Sequence, residues 1–447
     1  MTTEKNVATV PPEPEWAAFL AIDWADRKHH WKLAVANSKQ TQEGEVEHTP
    51  EKIDCWAAQL HSQFGGRPIA VCLEQARGSL VYMLQKYPQL VLYPVAPTTS
   101  ARFRQALYPS GSKSDPSDTA VLLDLLLHHR NHLRRLDPDT PETRLLQLLV
   151  EQRRKLVNDR TRYSNQLTGC LKLYFPQVLD WIDNIDSPMG CDLLEKWPSL
   201  QQLKRAHPGT LRKFFVEHNS RSEERIQERI DAIYQAKPAV EDQALLEGGA
   251  STAQALAAVV KTLNTCIAQL DERIAAAESA HPDSVLFAGL PGAGPVLRPR
   301  LIAAFGSRRE RYNNAAELQS YSGIAPVTEQ SGQTKWVHFR RACPKFLRQT
   351  FHEFAAHSIT RSTWARAYYD LQVHEKKKGH HAAVRALAGK WIRVTFRCWK
   401  DGTPYDEQTY LRSLAKHHSP LHGLLESATK VEWKPVAGFQ KLSVEKA

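Results

Sequence analysis

Short apolar runs separated by helical segments mark the first third of the chain. Five stretches predict β-strands, because each is short, mostly apolar or alternating, and bounded by polar turns: AAFLAIDWA, HHWKLAVAN, QEGEVEH, RPIAVCLEQ and QLVLYPVAP. Helical patterns lie between them, from about residue 50 to 63 and in GSLVYMLQKY. Strands that alternate with helices predict an α/β sheet over residues 16–137.

Helical periods dominate the middle of the chain, residues 138–282. A charged helix is predicted from Glu142 to Leu173, and further on apolar residues recur with 4-3-4-3 spacing. These residues are Leu256, Val260, Leu263, Ile267, Leu270, Ile274 and Ala277. The spacing is typical of a helical coiled-coil seam, which either joins two copies of the chain or packs within one copy.

A third domain, predicted to be helical, spans residues 283–415 and opens with LPGAGPVLRPRLIAAFG. Gly292 and Gly294 precede a helix that starts at Pro295, as in a helix-hairpin-helix motif whose backbone N–H groups face a phosphate. A plain helix–turn–helix connection also uses glycine. We expect residues 1–15 to be disordered and residues 416–447 to form a C-terminal tail.

Composition narrows the class of protein. No apolar run reaches the roughly 18 residues that a membrane span needs, and the polar N-terminus does not read as a secretion signal. The seven cysteines form no CxxC pair, so neither a zinc cluster nor a disulfide framework is expected. These features predict a protein of a reducing cytoplasm.

The positive charge is concentrated in one block. Between Lys335 and Lys400 the sequence has 15 Lys and Arg against three acids, a net charge of +12 within a total of +11. Such a block is typical of a surface that binds a polyanion, because solvated faces usually mix both signs. With the glycines above and two arginines of the middle region, the candidate nucleic-acid contacts are Gly292, Gly294, Lys335, Arg340, Arg341, Lys345, Arg348, Arg153 and Arg154.

Carboxylates stand where predicted strands and a helix of the first domain begin or end. Asp23 closes FLAID, Glu74 closes IAVCLE, and Asp115 and Asp118 open the helix after LVLYPVAP. Strand ends meet at one edge of an α/β sheet, and four clustered carboxylates need cations to stay ionised. We therefore expect a site for two Mg²⁺ ions, as in two-metal phosphodiester cleavage.

Each acid taken alone has a simpler interpretation. Asp115 alone would be a helix N-cap, and Glu74 alone would be the exposed end of a strand. Asp26 could take the role assigned to Asp23. The order of the four acids, in a chain with a basic block at its other end, favours the joint interpretation.

The same segments resemble a known family. AIDWADRKHHWKLAV, VCLEQARGS and SKSDPSDTAVLL look like the three signature segments of the DEDD insertion-sequence transposases, which are related to the pilin-gene invertases. The stretch from LPGAGPVLRPRLIAAFG to CPKFLRQTFHEFAAHSITRSTWARAYYD is similar to that family's transposase domain. The resemblance covers most of residues 16–130 and 283–412 and implies a RuvC-like, ribonuclease-H-type N-terminal domain.

The resemblance also implies roles and partners. Asp23, Glu74, Asp115 and Asp118 would be the catalytic, Mg²⁺-binding acids, and Ser331 in TEQSGQTK the nucleophile. Members of the family act on DNA as tetramers that assemble from dimers. They are guided by a structured RNA that the mobile element encodes. The acids of one protomer then lie beside the serine of another.

Some local features depart from the family pattern. Pro116 and Thr119 stand where relatives commonly have other residues, and TKWVHFRRACPK replaces a glycine-rich stretch. On its own residues Ser331 reads as part of a flexible loop, with Ser320 and Ser322 nearby.

The sequence therefore predicts a Mg²⁺-dependent DNA transposase or recombinase with a serine nucleophile. The alternatives are a RuvC-like nuclease that uses water as its nucleophile, and a nucleic-acid-binding scaffold without catalysis.

Overall fold

A computed structural model of the chain describes residues 15–107 and 115–428. The chain divides into an N-terminal unit that ends at Pro138 and a C-terminal unit that begins at Asp139. Most of the segment expected to be disordered and the last 19 residues of the expected tail lie outside the described residues.

The N-terminal unit is built on a mixed five-stranded sheet with the strand order β3-β2-β1-β4-β5. The strands are β1 (Ala18–Asp23), β2 (Lys28–Val35), β3 (Thr41–Glu47), β4 (Ile69–Leu73) and β5 (Leu90–Pro94). The first three strands pair antiparallel, whereas β4 runs parallel to both β1 and β5. All five strands lie where the apolar runs predict them, which confirms the α/β class of this region.

In the described part of this unit, four α-helices accompany the sheet: α1 (Pro50–Phe64), α2 (Ser79–Leu84), α3 (Pro97–Leu107) and α4 (Asp115–His129). Local sequence sets the limits of α1, since the Thr49 side chain caps its N-terminus and Gly65 ends it in the left-handed conformation at φ +60°. Every residue of β4 is buried, as expected for a strand covered on both faces.

Alternate residues of the strands pack into two different cores. Ile22 and Leu73 face the core that includes apolar residues of α1, whereas Ala21 and Cys72 face the core that includes Leu122 and other residues of α4. This alternation decides on which face the residues that follow β1 and β4 lie.

The C-terminal unit is almost entirely helical. Its helices are α5 (Pro141–Tyr174), α6 (Val178–Trp181), α7 (Pro188–Lys196), α8 (Leu200–Arg205), α9 (Pro208–Glu217), α10 (Glu223–Gln235), α11 (Gln243–Ser279), α12 (Ser284–Ala288), α13 (Leu297–Phe305), α14 (Ala315–Tyr321), α15 (Lys345–Ser358), α16 (Thr363–Asp370), α17 (His380–Asp401), α18 (Glu407–Lys416) and α19 (Pro420–Ala428). A two-stranded hairpin joins α14 to α15, with β6 at Val327–Ser331 and β7 at Thr334–His338.

The long helices α5 and α11 pack antiparallel along their length. Near their middle Arg160 donates a hydrogen bond of 3.1 Å to Asn264. The predicted apolar seam of α11 is part of this packing, because Val260, Ile267 and Ile274 are buried within the chain. The structure thus shows the intramolecular alternative for the seam.

Two apolar cores lie at opposite ends of the α5–α11 pair. One contains residues of α6–α10, and the other contains Leu146 and Ile274 together with the C-terminal helices. Within the described residues, the middle region and the C-terminal region therefore share a core, and both lie in the unit that begins at Asp139. The aromatic residues Trp364, Trp391 and Trp399 are buried in that core.

The expected C-terminal tail needs a correction. Residues 420–428 form α19, and Leu421 is buried in the core shared by the C-terminal helices. The apolar side chains Leu421 and Leu425 are four residues apart, so one face of this short helix packs inward.

Candidate functional site

The ends of β1 and β4 bring two of the predicted acids together. These strands are parallel neighbours with Ile22 paired to Leu73, so Asp23 and Glu74 occupy adjacent positions at the same edge of the sheet. Because side chains alternate along a strand, both residues continue the face of Ala21 and Cys72, against which α4 packs.

The beginning of α4 lies at this same edge. His30 is paired with Asp23 across β1 and β2, and its Nδ1 is 3.2 Å from the Thr119 hydroxyl in the first turns of α4. Asp118, the residue before Thr119, therefore lies close to the end of β1. The backbone of Asp115 starts α4, but its side chain lies outside the described residues.

Helix α3 contacts the acids with two side chains that the sequence analysis did not identify. The Ser100 hydroxyl donates a hydrogen bond to Glu74, and the Arg104 guanidinium forms an ion pair with Asp118. Only 18% of the Arg104 side chain and 10% of the Asp118 side chain are exposed. Because Ser100 and Arg104 are four residues apart, a single face of α3 supplies both a neutral donor and a balancing charge.

The donor set fits a hard divalent cation in its chemistry. Asp23, Glu74 and Asp118 offer carboxylate oxygens, which Mg²⁺ prefers. Burial, followed by the Glu74 carboxylate, raises the pKa of the Cys72 thiol to about 12, so no thiolate competes on this face. Within the described residues no three His, Cys, Asp or Glu side chains stand in metal-ligand geometry, and Arg104 balances the charge of Asp118 instead.

A chain of hydrogen bonds connects the loop after β1 to the start of α2. The Ala25 N–H donates to Nδ1 of the buried His29, whose Nε2 is 2.7 Å from Nδ1 of His48. Nε2 of His48 is in turn 2.8 Å from the Ser79 hydroxyl. The network links the loop that follows Asp23 to the helix that begins after Glu74.

The direction of these hydrogen bonds follows from the first donor. Since the Ala25 N–H must donate, Nε2 of the neutral His29 carries the proton and donates to His48, which then donates to Ser79. Burial, followed by the charge of His48, lowers the pKa of His29 to about 4 and keeps it neutral. Because Ser79 accepts from His48, this histidine does not act as the base that would make Ser79 a nucleophile.

Ser331 lies in the C-terminal unit, in a hairpin and not in the flexible loop that the sequence suggests. It is the last residue of β6, is exposed, and pairs with Thr334 across a two-residue turn of Gly332 and Gln333. Gly332 has φ +57°, and glycine at this first turn position is typical of a tight hairpin. Of the alternatives, Ser322 is buried and its hydroxyl donates to the Gln319 carbonyl.

The predicted contacts of the basic block differ in their surroundings. Lys335, Arg341 and Lys345 are exposed and, within the part of the chain that the structure describes, have no carboxylate partner. The Arg340 side chain donates a hydrogen bond to the Ala325 carbonyl. The Arg348 side chain donates to the Arg340 carbonyl, and its guanidinium lies over the Phe339 ring. The exposed cations are therefore available to a polyanion.

The predicted contacts of the middle region take part in ion pairs. Arg153 bonds Asp271, and Arg154 lies 3.6 Å from Glu353, close to the loop that contains Gly294. Gly292 has φ +82°, and a side chain there would meet the His357 backbone at 2.9 Å. Close packing thus accounts for Gly292, and its contact with nucleic acid stays a prediction.

Two family models match the chain in the order in which these features occur. Residues 20–176 match the model of DEDD-type IS110 transposases, and residues 285–370 match the model described as the transposase IS116/IS110/IS902 family. The chain belongs to the IS116/IS110/IS902 transposase family. The first match includes all four acids, and the second includes Gly292, Gly294, Ser331 and the start of the basic block.

Proteins of other insertion elements are similar to this chain along most of their length. The IS117 mini-circle protein of Streptomyces coelicolor, which is named as a transposase, is 28% identical over 89% of this chain and 97% of its own length. The 43.6 kDa protein of IS110 from the same species is 26% identical over 87% and 96%. The 42 kDa protein of IS900 from Mycobacterium paratuberculosis is 25% identical over 79% and 84%.

Among the described residues, none of the helices is long and apolar enough to cross a bilayer.

Proposed function

We propose that the chain is a DNA transposase that cleaves and exchanges DNA strands through a serine nucleophile in the presence of Mg²⁺. One observation carries this proposal. In a member of a transposase family, the ends of β1 and β4 and the beginning of α4 bring Asp23, Glu74 and Asp118 to one edge of the sheet. An exposed serine stands at the tip of a hairpin in the second matched region.

The N-terminal unit is proposed to have the ribonuclease-H-type, RuvC-like fold that the resemblance implies. Three antiparallel strands followed by two parallel ones, with acids at the ends of β1 and β4, support this assignment. Asp115, at the start of α4, is the proposed fourth acid.

Each acid has a distinct position in the proposed site. Asp23 and Glu74 are fixed by strand register, and Asp118 by the first turns of α4. Mg²⁺ bound by these carboxylates would lower the pKa of an attacking hydroxyl and neutralise charge on the phosphate. Arg104 must then leave Asp118, which makes its guanidinium available to the negatively charged DNA.

The proposed chemical step is a transesterification. The Ser331 oxygen attacks a DNA phosphorus, one phosphorus–oxygen bond of the DNA breaks, and a phosphoserine ester forms. The serine gives up its hydroxyl proton and the leaving DNA oxygen takes up one, so the number of protons is unchanged. Attack by the hydroxyl of another DNA end reverses the step and joins the strands.

The proposal includes an assembly and an RNA. Following the resemblance, the acids of one protomer act with Ser331 of another within a tetramer, and a structured RNA from the element selects the DNA. The α11 seam packs within the chain, so it does not support a dimer stalk. The basic block and its exposed cations are the proposed binding surface for both nucleic acids. A cytoplasmic, nucleoid-associated protein is consistent with these partners.

The serine is tested by trapping the covalent intermediate. The chain is incubated with labelled DNA that contains the ends of its element, with RNA transcribed from the flanking sequence and with Mg²⁺, and is then separated on a denaturing gel. We expect wild type and Thr334→Ala to give a DNA-linked protein band and Ser331→Ala to give none. Thr334 is the matched control, because it is the exposed partner of Ser331 in the hairpin.

The same gel separates the alternatives. If Ser331→Ala gives no linked band but still cuts the DNA, water is the nucleophile and the nuclease interpretation is correct. A linked band that persists in Ser331→Ala assigns the nucleophile to another residue.

A further inference from the structure

A cleft in the C-terminal unit lies directly after the hairpin that carries Ser331. Its volume is about 390 Å³, and its walls come from α15, from α17 and from the residue that follows β7. The lining residues are Phe339, Arg348, Gln349, His352, Glu353, His381 and Arg385. Clefts of about 300–1,000 Å³ are the usual size for small ligand groups.

The charge of this cleft is positive. Its one acid, Glu353, is already neutralised by an ion pair with the buried Arg300 and lies 3.6 Å from Arg154. Gln349 also donates to the Glu353 carboxylate, at 2.8 Å. Arg385 has neither an ion-pair nor a hydrogen-bond partner among residues 15–107 and 115–428. The cleft therefore offers a guanidinium whose charge no neighbouring carboxylate balances.

An aromatic ring holds two arginines in place. The guanidinium of Arg348 lies 4.7 Å from the centre of the Phe339 ring, and that of Arg385 lies 4.9 Å from it. Cation–π contacts stabilise each charge, but two like charges beside one ring still repel each other. An anion bound between them would remove that repulsion.

Two histidines line the cleft beside the arginines. The ring centres of His352 and His381 are 5.7 Å apart, and His380 lies beside His381. Burial, followed by His381, Arg385 and His380, lowers the pKa of His352 to about 4, while Glu353 acts weakly in the opposite direction. At pH 7 His352 is thus a neutral hydrogen-bonding group beside two guanidinium groups.

We propose that this cleft binds one phosphodiester group of a nucleic-acid backbone, with Arg348 and Arg385 as its main ligands. Guanidinium groups approaching from two helices, with imidazole donors beside them, suit a tetrahedral oxyanion. The inference rests on the proposed function, since a strand seated here would pass the hairpin that carries Ser331.

Salt dependence tests the cleft. Each phosphate contact contributes about 0.9 to the slope of log Kobs against log salt on duplex DNA. We expect Arg385→Gln to lower that slope by about 1, and Arg273→Gln, which removes an exposed charge from α11, to leave it unchanged. Binding is measured by fluorescence anisotropy with a duplex of about 20 base pairs and, separately, with an RNA hairpin.

The outcomes separate the cleft from the function. If Arg385→Gln keeps the wild-type slope on both probes, the cleft inference is wrong while nucleic-acid binding stands. A wild-type chain without any salt dependence would overturn both. A loss confined to one probe identifies DNA or RNA as the source of the phosphate.

A second measurement does not depend on a variant. Inorganic phosphate is titrated into the wild-type chain while the ring signal of His352 is followed by NMR. We expect phosphate to raise the pKa of His352 from about 4 by one unit or more, because a bound anion favours the charged imidazole. An unchanged pKa at saturating phosphate contradicts the proposal.

Discussion

Individual side chains at the sheet edge were only partly predictable. Asp23 and Glu74 were found because each follows an apolar strand, and Asp118 because it opens a helix. Ser100 and Arg104 gave no such signal, since α3 is mostly polar and its one buried residue is a serine. The contacts of Ser100 with Glu74 and of Arg104 with Asp118 are established only by the fold, which places α3 beside the acids.

The ion pair between Arg104 and Asp118 leads to a stability prediction. We expect Arg104→Gln to lower the free energy of unfolding by about 3 kcal/mol without metal, because a nearly buried carboxylate loses its balancing charge. Mg²⁺ should then stabilise the variant more than wild type, since no guanidinium competes for Asp118. Denaturant unfolding with and without Mg²⁺ measures both effects.

Arg102→Gln is the control for this measurement, because Arg102 is an exposed arginine on the same helix. If Arg104→Gln and Arg102→Gln are equally stable without metal, the ion pair does not stabilise the fold. If Mg²⁺ stabilises both variants equally, the ion pair does not occupy the cation position.

Secondary-structure elements were predicted well where burial sets a clear pattern. The five strands of the sheet alternate or are wholly apolar, and α5 is capped by Thr140 and Pro141. The β6–β7 hairpin was missed because nearly all its residues are exposed, so no apolar alternation marks it. Its signal was the glycine turn SGQT, which is also common in flexible loops.

The hydrogen-bond network through His29 makes a prediction about pH. The pKa of His29 is about 4 in the folded chain and about 6.5 in the unfolded chain. Between these pH values only the unfolded chain takes up this proton. The contribution of His29 to the free energy of unfolding is therefore fully present above pH 6.5 and decreases as the pH falls towards 4. We expect His29→Gln, which keeps a donor and an acceptor, to reduce that loss.

Denaturant unfolding at pH 7 and pH 4.5 compares the two proteins. The slope of the free energy of unfolding against pH should be smaller in His29→Gln than in wild type. The difference should approach one proton, or about 1.4 kcal/mol per pH unit. An identical loss of stability in wild type and His29→Gln would exclude a neutral, buried His29 as its cause.

At the scale of the whole molecule, the sequence predicted the sheet-containing N-terminal unit and the helical remainder. It did not predict that α5 and α11 carry residues of both cores of the C-terminal unit, because a heptad seam looks the same within a chain and between chains. The acids lie in one unit and Ser331 in the other. In the proposed assembly, the acids of one protomer act with Ser331 of another.

The central claim is that folding gathers the acids into one metal site, and Mn²⁺ binding to the full chain tests it most directly. Mn²⁺ is a spectroscopic substitute for Mg²⁺ with similar oxygen ligands. We predict that Asp23→Asn and Glu74→Gln each weaken Mn²⁺ binding about 10-fold or more, whereas Asp26→Asn, which alters an exposed acid three residues from Asp23, leaves it unchanged. Wild-type affinity in the first two variants, or an equal loss in Asp26→Asn, would contradict the account.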